Sequence, residues 1–310
     1  MQLFFSNSLL ALRQVAMLYV IVGLGAAAER LKWFPESTAR LCTKLLLYLI
    51  TPCMIISSFL AMEYSARALR GLLITLGCGV LLHVTGILIS YPAFRGYKRP
   101  DTDHVLHYAS VYGNCGYMGL PLAQAMAGSE GVFYCTAIIL TFQVFSFSHG
   151  QYVMGKAKFR WRSLLLNAGV ISVAIGLPLF LLQAPVPELI AKPVTTVAAM
   201  NSPLAMLMFG AYLSRTKFGG ILRNKKIFVS AGIKLFALPA VMLTVLALLG
   251  MDFPLRNAVL ITSSAPPANN TVVFAARHDR DTGYAAQVTG LLSIISIITM
   301  PLMIAIGLSV

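Results

Sequence analysis

The sequence predicts an all-α membrane protein with ten transmembrane helices in two inverted five-helix repeats, the fourth and ninth helices being interrupted. Three observations lead there. Of the 310 residues, 58% are hydrophobic and 11% charged, with a mean hydropathy of +0.79; such a chain cannot wrap a water-soluble core without leaving apolar surface exposed. Apolar stretches of about 20 residues, the length that spans a bilayer, recur along nearly the whole chain. Two of them, one in each half, are broken by glycine, proline and asparagine.

In order, the spans fall at 8–28, 39–60, 70–91, 105–126, 131–153, 163–183, 193–214, 227–249, 256–277 and 284–308. The first ends in Ala26-Ala27-Ala28-Glu29, which resembles a cleavage site. The chain start lacks a basic n-region, however, and Arg13 interrupts the apolar run, so the segment reads as a true span. Cys42, Cys53, Cys78, Cys115 and Cys135 all lie within spans and show no CxxC spacing, so they read as small packing residues, neither disulfide nor metal ligands.

Lys and Arg in short loops mark the cytoplasmic side. With ten spans, one side collects Arg30, Lys32, Arg40 and Lys44; Arg95, Lys98 and Arg99; Lys156, Lys158, Arg160 and Arg162; Arg215, Lys217, Arg223, Lys225 and Lys226; and Arg277 and Arg280. The other side receives Arg13, Arg67, Arg70, Lys192 and Arg256. Both termini are therefore expected outside the cytoplasm, in a multi-pass protein of the plasma (inner) membrane. The net charge of +14 serves topology and contact with anionic lipid; nucleic acid is not an expected partner.

A shift of about 155 residues lays spans 1–5 on spans 6–10 and Asn114 on Asn269. Five spans per half is an odd number, so the halves, 1–155 and 156–310, enter the membrane from opposite faces, the inverted-repeat arrangement of many secondary transporters. The boundary falls in the basic linker that begins at Lys156.

In span 4, Gly113, Gly116 and Gly119 lower the cost of leaving helical geometry, and Pro121 removes a backbone donor. In span 9, just after Ser264, Pro266 and Pro267 remove two donors and free carbonyls around Thr262 and Ser263, while Asn269 and Asn270 supply side-chain amides. A backbone opened within a bilayer survives only where protein or a watery cavity surrounds it. Each half-helix then points an amino end, with about half a positive elementary charge, into a shared cavity, where Asn114 and Asn269 add neutral donors. This favours a carboxylate or similar anion. Single prolines, Pro52, Pro178 and Pro239, read as kinks.

Other polar residues give weaker signals. Lys234 lies about 12 Å from the start of span 8 at 1.5 Å per residue, and either snorkels or carries a functional charge. His83 and His149 are candidate proton relays or packing residues. No Asp or Glu stands at mid-span. No catalytic residues, nucleotide-binding loop or metal-ligand spacing appear, so an enzyme is not expected and no cofactor is implied; a coupling ion, proton or sodium, is left open. A ligand-binding channel or sensor is the alternative reading, disfavoured because no continuous polar stripe runs along several spans.

The run Tyr112-Gly113-Asn114-Cys115-Gly116-Tyr117-Met118-Gly119-Leu120-Pro121-Leu122 resembles the span-4 signature of the auxin efflux carrier family, which includes the plant PIN-type carriers and bacterial transporters of malonate and other organic acids. Ser264-Ala265-Pro266-Pro267-Ala268-Asn269-Asn270 resembles its span-9 counterpart. Weaker matches are Phe209-Gly210-Ala211-Tyr212-Leu213 and Lys234 through Pro239. The resemblance implies a scaffold and a transport domain, each drawn from both repeats, with spans 4 and 9 crossing at mid-membrane. It carries substrate-facing roles onto Asn114 and Asn269, with Gly113, Cys115, Gly116, Pro266 and Pro267 shaping the cross. It implies export of a small organic anion, a mono- or dicarboxylate, by alternating access. Cys115 after Asn114, the doubled asparagine at Asn269-Asn270 and the short linker between halves depart from the plant carriers. A homodimer is compatible with this reading.

Overall fold

The computed structural model describes residues 2–96, 98–155, 161–216 and 219–309; the side chains of residues 2–12, 15, 36, 40, 163, 308 and 309 lie outside the description. The linker cations Lys156, Lys158 and Arg160, the loop residue Lys217 and the Arg40 side chain therefore lie outside the described residues.

Among the described residues the fold is helical, with no strand. Six helices are long and apolar enough to cross a membrane: Ser37–Leu60, Ala66–Phe94, Cys115–Gly155, Glu188–Arg215, Lys226–Leu249 and Thr282–Gly307. This is fewer than the ten expected, and the difference has local causes. Helix Gln2–Arg30 has part of its side chains outside the description. Ala168–Leu182 has 15 residues. The stretches 105–126 and 256–277 are interrupted, into Pro100–Val111 followed by Cys115–Gly119, and into Phe253–Ser264 followed by Asn270–Arg277.

The 41-residue run Cys115–Gly155 is not one rod. Gly128 has φ 58° and ψ −151°, a conformation that glycine adopts without penalty. A Cβ on Gly131 would come within 2.8 Å of the Ala123 carbonyl oxygen, whereas eight residues of straight helix separate their ends by about 12 Å. The chain folds back at Gly128, between the fourth and fifth stretches read from the sequence.

Four widened π-turns interrupt the helices, at Leu46–Ile50, Cys115–Gly119, Ser146–Gly150 and Ile233–Ala237. Three have one sequence cause. Pro52, Pro121 and Pro239 each follow two residues behind such a turn, and the carbonyl that each would have bonded, of Tyr48, Tyr117 or Leu235, lies at its centre. A proline ring crowds that carbonyl and supplies no N–H, and one extra residue in the turn relieves both problems. Pro178 sits inside Ala168–Leu182 without a π-turn, and no proline stands behind Ser146–Gly150.

Packing divides the buried side chains into two clusters. The larger one surrounds the helix interruptions and includes Tyr108, Tyr112, Phe133, Leu260, Ile261 and Phe274. The smaller is built from Val22, Ala39, Leu46, Ile50, Ala205, Met206, Met208 and Phe209, with Met118 reaching into it. At its heart Gln2–Arg30 and Asn201–Arg215 touch backbone to backbone. A Cβ on Gly25 would lie 2.1 Å from the Leu207 oxygen, and one on Gly210 would lie 1.9 Å from the Val22 oxygen. Small residues at such interfaces allow the close packing that holds helices together in lipid. Glu29 seals the end of the same pair, accepting from Arg215 Nε at 2.9 Å and from the Ser214 hydroxyl. Those two donors hold its carboxyl below the usual carboxylate range, the Ser214 hydroxyl contributing most.

Candidate functional site: a paired helix interruption over a cavity

The two interruptions pair with each other. Gly113 and Pro267 form an antiparallel bridge; the Asn114 amide donates to the Pro266 carbonyl at 2.7 Å, and the Ala268 amide donates to the Tyr112 carbonyl at 2.9 Å. Pro266 and Pro267 have no N–H to offer, so the second strand gives one donor and one acceptor and no more. Unwound backbone in a buried setting needs such partners, and here each break satisfies the other.

Asn114 organises the first break. Its φ of −80° and ψ of 61° form an inverse γ-turn, closed by the Cys115 amide on the Gly113 carbonyl at 2.9 Å. Its Oδ1 accepts from the Tyr117 amide at 3.2 Å, capping the helix that restarts there. Its Nδ2 is buried and has no partner. The carbonyls freed at the end of Phe253–Ser264 are both occupied: Cys115 Sγ reaches Thr262 O at 3.9 Å, and Lys234 Nζ reaches Ser263 O at 3.2 Å.

A cavity of about 510 Å³ opens beside this pairing. Of the residues singled out from the sequence, Gly113, Asn114, Cys115, Gly116, Asn269 and Asn270 line it. Ser264, Pro266 and Pro267 are buried in the pairing itself, and Gly119 and Pro121 are buried farther along the restarting helix. His83 is elsewhere: 1% exposed, its Nδ1 lies 2.6 Å from the Gly79 carbonyl of its own helix, and its ring stacks on Phe145 at 5.3 Å. His149 bonds Tyr112 Oη through Nδ1 at 2.9 Å. Tyr112 Oη also lies 3.0 Å from the Phe145 carbonyl. Lys234 does not snorkel; it is 1% exposed with its ammonium against the crossing.

The rest of the lining comes from segments to which the sequence reading assigned no site role. Tyr48 and Thr51 come from the turn at Pro52, Gln143 from Leu120–Phe145, Asn167 and Gly169 from the start of Ala168–Leu182, and Arg277 from the end of Asn270–Arg277. Asn167 caps its helix through Gly169 N at 2.9 Å, and its Nδ2 donates to Gln143 Oε1 at 3.3 Å. A side-chain cap just before an apolar run is a readable signal for Asn167; the others are brought in by tertiary packing alone. Three helix amino ends, at Cys115, Ala168 and Asn270, thus meet one cavity that has Arg277 in its wall and no acidic residue among its lining. Amino ends and an arginine together favour an anion.

The chain is similar to known membrane transport proteins. The family model described as membrane transport protein matches residues 10–157 and 152–304. The chain is 24% identical over 286 residues to an uncharacterized transporter of Methanocaldococcus jannaschii, covering 86% of this chain and 89% of that one.

Proposed function

The chain belongs to the membrane transport protein family, that of the auxin efflux carriers, and we propose that it is a secondary transporter that exports a small organic anion, a mono- or dicarboxylate, by alternating access. The observation that carries this reading is the buried, unpartnered Asn114 Nδ2 at a cavity rimmed by three helix amino ends and free of acidic side chains. A buried donor without a partner costs about 1–3 kcal/mol, and a carboxylate oxygen would supply the missing acceptor.

In this reading ten spans form two inverted repeats whose fourth and ninth members cross at mid-membrane. The packing supports it: Gln2–Arg30 rests on Asn201–Arg215 as Ala168–Leu182 rests on Thr51–Leu60, each across a glycine, Gly25 with Gly210 in one case and Gly176 against Phe59 in the other. The smaller cluster, drawn from both halves, would be the fixed scaffold, and the larger, holding the crossing, the moving body. Met118 links the two. The cavity lining includes Arg277 and Leu166 to Gly169, a few residues after Arg162, at the end that the basic residues would make cytoplasmic; this supports reading the cavity as one loaded from within the cell, with both termini outside.

Flux of labelled carboxylates into and out of liposomes containing the purified protein tests the proposal. Saturable, protein-dependent movement of at least one mono- or dicarboxylate is expected; binding without movement would point instead to a sensor or ligand-gated channel.

A further inference from the structure

Lys234 lies against the crossing and is not among the residues that line the cavity. Pro239 opens the π-turn Ile233–Ala237 and so turns this residue inward. Its ammonium donates to the Ser263 carbonyl at 3.2 Å. Ser263 stands four residues ahead of Pro267, which has no N–H to return. Gly113 leaves the space that the ammonium occupies: a Cβ there would lie 2.7 Å from Nζ and 3.3 Å from the Ala265 oxygen. Among the described residues no carboxylate is within ion-pair distance of Lys234, the described acid partners being Glu29, Asp101, Asp103, Glu188 and Asp252 with other cations. The positive charge is therefore held by backbone oxygen and by the negative carboxyl end of Phe253–Ser264.

Unwound carbonyls and carboxyl ends of half-helices are the ligands with which discontinuous-helix carriers hold a monovalent coupling cation. We infer that Lys234 is a tethered substitute for such an ion: its ammonium takes the place of a cation beside the freed Ser263 carbonyl at the crossing, the chain needs no sodium or potassium there, and cutting the side chain back reopens the site to a free monovalent cation. The inference rests on the proposed function only in treating the crossing as the moving part of a carrier. An apolar packing lysine would instead leave, on truncation, a void with no preference among salts.

The test is the thermal unfolding midpoint of the full-length protein in sodium, potassium and N-methylglucamine chloride at equal ionic strength. For the unaltered protein the three midpoints should coincide. For Lys234→Ala the midpoint should rise by several degrees in sodium or potassium over N-methylglucamine, and rise further with ion concentration as binding linkage requires. Lys234→Ser, whose hydroxyl can bond within its own turn, is the second variant should Lys234→Ala not fold. Truncated protein indifferent to the small cation overturns the inference, as does unaltered protein stabilised by sodium or potassium. No transported solute enters this assay, so its failure and a failure of carboxylate flux are told apart.

Discussion

The amide of Asn114 meets the carbonyl of Pro266 at 2.7 Å, so the two halves of the chain share a hydrogen bond where each has lost its helix. Asn114 also caps the restarting helix through Oδ1, while its Nδ2 is buried without a hydrogen-bond partner. Its two ends can be separated by substitution. Asn114→Asp keeps the cap and replaces the donor by a negative oxygen, so thermal stability should hold while carboxylate uptake is lost. Asn114→Ala should lose uptake and about 0.5–2 kcal/mol of stability, the usual worth of a cap. Equal uptake in all three proteins, measured in liposomes, would remove Asn114 from the site.

Asn269 lines the same cavity without capping its helix. Asn269→Ala should therefore weaken anion binding with little change in melting temperature, the opposite balance to Asn114→Ala. Binding by titration calorimetry and melting by intrinsic fluorescence would be read on the same preparation.

Arg277 stands in the cavity wall and has no acid partner among the described ion pairs. An exposed charge steers encounter more than it holds. Arg277→Gln should raise the KM for anion export several-fold, leave kcat near its original value, and flatten the dependence of kcat/KM on ionic strength. An unchanged salt profile would count against a steering role.

Gly25 and Gly210 have each other's backbones where a side chain would be. Gly210→Leu should lower stability by more than the roughly 1–3 kcal/mol of ordinary overpacking, because the obstructing atoms are carbonyl oxygens that cannot rotate away. Gly23, which has open space around its Cβ position, is the control, and Gly23→Leu should melt normally.

Glu29 gives a pH dependence of known sign. Its carboxyl is held below the ordinary value of 4.5 by Ser214 first and Arg215 next. The stability it adds is complete above that value and is lost as pH falls through its lower, folded-state value. Glu29→Gln should be less stable than the parent at neutral pH, and the difference should close on acidification below about pH 4.5. A difference that persists at low pH would assign the effect to packing.

Much of the paired interruption is readable from residue type. Gly113, Asn114, Pro266 and Pro267 announce broken helix because each acts on its own backbone, and Pro267 named Ser263 as a freed carbonyl through a fixed four-residue relation. What takes that carbonyl was not readable, since the approach of Lys234 depends on how Lys226–Leu249 rotates when Pro239 widens its turn. Thr51, Gln143 and Arg277 were missed for the same reason: each is unremarkable in its own segment and reaches the cavity through packing. The count of long apolar helices differs from ten where the stretches 105–126 and 256–277 are interrupted and where Ala168–Leu182 is short, whereas the turn at Gly128 falls between two spans already separate in the sequence.

The close approach of Gly25 to the Leu207 backbone and of Gly210 to the Val22 backbone also bears on biosynthesis. The two surfaces are separated by 185 residues of chain, so the first helix leaves the ribosome with a bare backbone groove and must wait in the bilayer until most of the remaining protein has been inserted. An isolated amino-terminal half would keep that groove uncovered. The carboxyl-terminal half, which carries Asn201–Arg215, is what covers it.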